Sequence, residues 1–126
     1  MGSVPRARAT TSARARQGAM PDPDLRVAVQ AAEGGMRIEL VGELDVATAP
    51  ELQRRVDEIA SAEGDAWIDC TELTFADSSG LDTMTRLAKA LRAQDRRLVL
   101  TNLRPMVRRA MDVLQITELF ELEEAP

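Results

Sequence analysis

Two short stretches of this 126-residue chain carry residue types whose spacing can do chemistry: Gly42-Glu43-Leu44-Asp45 and Phe75-Ala76-Asp77-Ser78-Ser79-Gly80-Leu81. The second sets two hydroxyls beside an acid, just ahead of a helical apolar pattern. A helix start offers unpaired backbone N–H groups and the positive end of the helix dipole, so a phosphate placed on Ser78 or Ser79 is stabilised where it stands. A plainer reading stands beside this one. Ser79-Gly80-Leu81-Asp82 fits the capping-box pattern, which makes Ser79 the helix cap and leaves the Ser78 hydroxyl free. Asp77 can brace the turn through an Asx bond to the backbone or face a partner. Asp82 adds a carboxylate one helical turn from Ser78, which opposes a phosphate there.

What is missing is equally informative. The chain has no histidine, so nucleophile activation by an imidazole base cannot be built, nor can the common zinc sites. A hydrolase using Ser78 has no base to draw on, because the single lysine, Lys89, reads as a solvated helix residue. Cys70 is the lone cysteine and sits in an apolar run, which marks a small buried hydrophobe. No glycine loop of the phosphate-cradling kind supports nucleotide binding. Neither a cofactor nor a metal is expected.

Charge is unevenly placed. Residues 1–19 hold Arg6, Arg8, Arg14 and Arg16 with no acid, leaving 12 basic and 21 acidic residues in the rest, a net of −9. A body this acidic, without a basic and aromatic face, does not bind nucleic acid directly. The apolar runs are too short to insert in a bilayer, and the basic start is not followed by the apolar block of a signal peptide, so a cytoplasmic protein is expected.

The elements that must position the two loops follow from periodicity. Residues 1–19 lack any apolar period and are expected to be a disordered basic tail, with Met20 a possible natural start and residues 20–126 forming a single domain. Val27 and Val29, the turn signal Gly34-Gly35, and Met36, Ile38 and Leu40 predict a β-hairpin with one buried face. Thr48-Ala49-Pro50-Glu51 fits a capping box and opens a helix over about residues 48–62, carrying Leu52, Val56 and Ile59. Ala66–Cys70 predicts a central strand, and Leu81, Met84, Leu87, Ala88 and Leu91 mark a second helix that starts within Asp77–Gly80. A strand at Arg97–Thr101, a third helix opened by Pro105, and a short strand at Leu119–Leu122 complete the order β-β-α-β-α-β-α-β. The fold class is therefore α/β: a mixed sheet with an N-terminal hairpin followed by parallel strands joined through right-handed helical crossovers.

This order of elements, with Gly42-Glu43-Leu44-Asp45 ahead of the first long helix and Phe75-Ala76-Asp77-Ser78-Ser79-Gly80-Leu81 ahead of the second, resembles the STAS domain family, in particular its anti-sigma factor antagonist branch. The likeness runs over about residues 25–122. It implies a partner-switching regulator of transcription, not an enzyme. The unphosphorylated antagonist binds an anti-sigma factor that is also a serine/threonine kinase, and so frees the sigma factor. The kinase phosphorylates the first serine of the Asp-Ser-Ser-Gly loop, which is Ser78, and a metal-dependent serine phosphatase resets it. Asp45, Asp77, Ser79 and Gly80 are then expected on the partner surface. The family also supplies accessory subunits of membrane transporters and building blocks of stress-sensing assemblies, which makes a subunit role the alternative.

Overall fold

The computed structural model describes residues 24–124. The tail expected at residues 1–19, and the choice of Met20 as a start, lie outside the described residues. Strands β1 (Leu25–Ala32) and β2 (Gly35–Leu44) form the expected hairpin, paired antiparallel from Leu25↔Gly42 to Ala32↔Gly35. Its turn rests on Gly34, whose φ of 85° lies in the left-handed region that side chains disfavour. Helix α1 (Ala49–Ser61), strand β3 (Asp65–Ala76), helix α2 (Ser78–Arg92), strand β4 (Leu98–Thr101), helix α3 (Pro105–Leu114), a short 3-10 turn (Thr117–Leu119) and strand β5 (Glu121–Glu123) follow.

The five strands lie in the order β1-β2-β3-β4-β5, and every pairing after the hairpin is parallel. Each helical connection therefore steps one strand over in the same direction. Right-handed crossovers of that kind put α1, α2 and α3 on one face of the sheet. Burial agrees: Ile38 and Leu40 on β2, Ala66, Ile68 and Cys70 on β3, and Leu98 and Leu100 on β4 are all core residues, packed with Leu52 and Ile59 of α1, Leu81, Met84, Leu87 and Leu91 of α2, and Val107 and Met111 of α3. The alternate residues in the same register, Arg37, Trp67 and Glu121 in one row and Glu39, Asp69 and Thr101 in the next, belong to the other face. Burial pushes the Cys70 thiol up to about 12, with the neighbouring Asp69 charge adding to it, so this sulfur stays protonated and inert.

Three expectations change. β3 runs on to Ala76, six residues past the apolar core at Cys70, because its second half still pairs with β2 as far as Leu44↔Ala76. The Thr48-Ala49-Pro50-Glu51 capping box does not form. The Thr48 hydroxyl instead donates to the carbonyl of Glu43 at 2.7 Å and accepts the Asp45 N–H at 2.9 Å, while Glu51 pairs with Arg54. The last strand is Glu121–Glu123 and not Leu119–Leu122, since the preceding residues wind into the 3-10 turn.

Candidate functional site

The parallel arrangement gathers the β2–α1, β3–α2 and β4–α3 loops along the edge of the sheet formed by the strands' C-terminal ends, where α/β proteins usually place their sites. The first of these is a self-bonded turn. The Asp45 carboxylate accepts the N–H groups of Ala47 and Thr48, each at 3.0 Å, and the Asp45 carbonyl accepts Ala49 N–H at 2.8 Å. Asp45 is thus half-buried and occupied in shaping its own loop.

The β3–α2 loop is locked to the first. Asp77 N–H donates to the Leu44 carbonyl at 3.1 Å, and a Cβ on Gly80 would lie 2.4 Å from that same oxygen. Only glycine lets the first turn of α2 approach β2 this closely. Gly80, expected among the partner-facing residues, is buried against Leu44, so what it contributes to the edge is the close docking of the two loops.

The cap of α2 is Asp77, not Ser79. Its carboxylate accepts Gly80 N–H at 3.0 Å, and its carbonyl accepts Leu81 N–H at 2.8 Å. Ser78 and Ser79 therefore occupy the first two helical positions. Both are exposed, and among the described residues neither hydroxyl has a hydrogen-bond partner. Their backbone N–H groups are the helix's remaining open donors, because the geometry of a first turn leaves them no carbonyl to reach. Asp82, one turn on, is not a bare charge: its carboxylate meets the Arg86 guanidinium at 3.1 Å.

This constellation of a docked pair of loops, an aspartate cap and two free serines lies within residues 26–125, which match the family model of the STAS domain. The chain belongs to the STAS domain family. Among its relatives, an anti-sigma-B factor antagonist of Bacillus subtilis is 25% identical over 99 residues, covering 79% of this chain and 91% of the relative. Another protein of that name, from Listeria monocytogenes, is 30% identical over 87 residues, 68% of this chain and 76% of its own. The Bacillus cell fate determinant SpoIIAA, solved in its phosphorylated form, superposes with a TM-score of 0.63 at 20% identity, covering 81% of this chain and 91% of SpoIIAA. The mixed five-stranded sheet with three helices is the STAS fold.

Of the residues singled out from the sequence, this STAS domain brings Asp45, Asp77, Ser78 and Ser79 to one edge and buries Gly80 beside them. Two neighbours escaped sequence reasoning. Val46 is 71% exposed at the β2–α1 loop and Phe75 is 39% exposed at the end of β3. An apolar residue inside a loop motif gives no sign of whether it points in or out, so only a break in the burial pattern could have flagged them. A cleft of about 190 Å³ lined by Arg92, Arg96, Arg97 and Phe120 lies at the opposite edge, away from these residues. Among the described residues no helix is long and apolar enough to cross a membrane, and no acidic or sulfur cluster is arranged to hold a metal ion.

Proposed function

We propose that this chain is an anti-sigma factor antagonist that acts as a partner switch in transcription regulation. Unphosphorylated, it binds an anti-sigma factor that is a serine/threonine kinase; phosphorylation of Ser78 releases it, and a serine phosphatase restores it. The observation that carries this reading is the state of Ser78: exposed, with a free hydroxyl, at the first position of a 15-residue helix whose cap is supplied by Asp77. The names of its relatives point the same way.

In the forward step the Ser78 Oγ attacks the terminal phosphorus of ATP. The bond from that phosphorus to the bridging oxygen breaks, ADP leaves, and the hydroxyl proton passes to a base on the kinase. The new phosphate finds the open N–H groups of Ser78 and Ser79 and the helix dipole, so the modified chain is itself stable. Asp82 opposes the added charge less than its position suggests, since Arg86 neutralises it. Hydrolysis by the phosphatase returns the hydroxyl and inorganic phosphate. The reading makes the protein a ligand of enzymes and not an enzyme.

Calorimetric titration against the cognate anti-sigma factor, with mass spectrometry of the kinase reaction, tests the proposal. Ser78→Ala is expected to bind and to resist phosphorylation, while Ser78→Asp binds roughly a hundredfold more weakly, equivalent to about 3 kcal/mol. Equal affinity for Ser78→Asp and wild type, or phosphate on Ser79 with Ser78 untouched, overturns it.

A further inference from the structure

Val46 and Phe75 stand exposed to water, and exposed apolar side chains clustered at one place mark contact surfaces. Both belong to the locked pair of loops. Phe75 is in register with Glu43, Leu44 with Ala76, and Asp77 N–H reaches the Leu44 carbonyl, so Val46 and Phe75 flank the start of α2 that bears Ser78. The ground between them is acidic: residues 43–51 and 72–82 contain six acids and no lysine or arginine, and while Glu51 and Asp82 pair with Arg54 and Arg86, among the described residues Glu43, Asp45, Glu72 and Asp77 have no ion-pair partner.

We infer that Val46 and Phe75 are the apolar anchors by which the unphosphorylated loops are held, and that they enter a face of the kinase with an apolar centre and a basic rim. The inference rests on the switch reading above and gives its partner a chemistry. A partner that approaches these four unpaired acids needs basic side chains at its own rim, which speed encounter and set register. Aromatic and aliphatic anchors supply the strength of such contacts because their burial excludes water. Within that dry centre a serine hydroxyl is tolerated. A phosphate carrying about −1.5 to −2 is not, because it must shed its hydration beside apolar groups and beside the nucleotide's own phosphates. The anchors thus explain why modification of one hydroxyl releases the partner while the acidic rim stays unchanged.

The test titrates wild type, Val46→Ser, Phe75→Ala, Phe75→Leu and Val113→Ser against each purified serine-kinase anti-sigma factor of the host, with a non-hydrolysable ATP analogue present. Val113 is a control, 75% exposed near the far end of α3. Val46→Ser and Phe75→Ala are expected to weaken binding by roughly tenfold or more, Phe75→Leu by less, and Val113→Ser by less than about twofold. Val46 lies at a loop tip, so its variant keeps the test valid even if Phe75→Ala unfolds. Wild-type affinity is expected to fall as salt rises from about 50 to 500 mM. Binding by the Val46 and Phe75 variants as tight as wild type overturns the anchors, and affinity indifferent to salt overturns the basic rim. If wild type itself binds none of the kinases, the switch reading falls and the inference falls with it.

Discussion

At the scale of single residues, the division of labour in the Asp77-Ser78-Ser79 run follows from what each side chain can bond. A carboxylate at the cap position accepts the N–H three residues on, and here it does so at 3.0 Å, which removes the need for a serine in that role. Both serines are then free of structural duty. Asp77→Ala is expected to lower stability by roughly 1 kcal/mol in denaturant unfolding, whereas Ser79→Ala stays within about 0.5 kcal/mol of wild type. A larger cost at Ser79 than at Asp77 contradicts the assignment of the cap.

At the scale of elements, α1 is what carries the Asp45 loop, and its far end is held from a distance. The helix has no basic residue in its last turn to meet its open carbonyls. Arg96, buried and 36 residues further along, supplies the missing cation: its guanidinium donates to the Ala60 carbonyl at 2.8 Å and to Ile59 at 2.9 Å, and also reaches Gly64. A planar fork spreads its donors over three nitrogens and so spans three separated carbonyls, whereas an ammonium has its three donors on one atom. Arg96→Ala removes the shared donor, leaving the Ala60 carbonyl with Gln94 and the Ile59 carbonyl with Ala62 N–H, and is expected to cost roughly 1–3 kcal/mol. Arg96→Lys is expected to recover only part of that loss. Chemical denaturation of both variants checks the ordering, and a Lys variant as stable as wild type shows that charge alone suffices.

At the scale of the whole molecule, the face of the sheet opposite the helices carries charge. Asp69 lies there with its side chain 16% exposed, 3.1 Å from Arg37. Burial alone would raise its pKa, but hydrogen bonds from the Thr71 hydroxyl and N–H, with the Arg37 charge and Asn102, outweigh that and hold the carboxyl below its ordinary value. The backbone N–H of Arg97 lowers Asp65 against the opposing effect of burial, helped by the Arg97 guanidinium. A folded-state pKa below that of the unfolded chain, about 3.9, stabilises the fold fully above that value. The contribution is lost as pH falls through the folded-state pKa. Asp69→Asn is therefore expected to be less stable than wild type near neutral pH, with the gap closing as the pH is lowered below about 4. Thermal melts across that range measure it, and a gap that persists undiminished at about pH 2 shows that the carboxylate charge is not its source.

How much of this was legible beforehand depended on range. Hydrophobic period and turn residues are local, so the order of elements, the hairpin, the helix faces and the Asp-Ser-Ser-Gly loop at a helix start were all readable from residues a few places apart. Whether a polar group caps, braces or stays free is a competition among nearby donors and acceptors, and local pattern misjudged it twice: Thr48 bonds back to Glu43, and Asp77 takes the cap that Ser79 also fits. The joining of the two loops through Leu44, the burial of Gly80, the exposure of Val46 and Phe75, and the reach of Arg96 to α1 all depend on contacts between residues about 30 or more apart, or on which side of a packed layer a side chain falls. The chain's own pattern determined a mixed α/β sheet with a serine at a helix start. Only packing in three dimensions decided which hydroxyls were left free and which apolar groups were left to surround them, because burial and hydrogen-bond satisfaction are properties of the assembled layers.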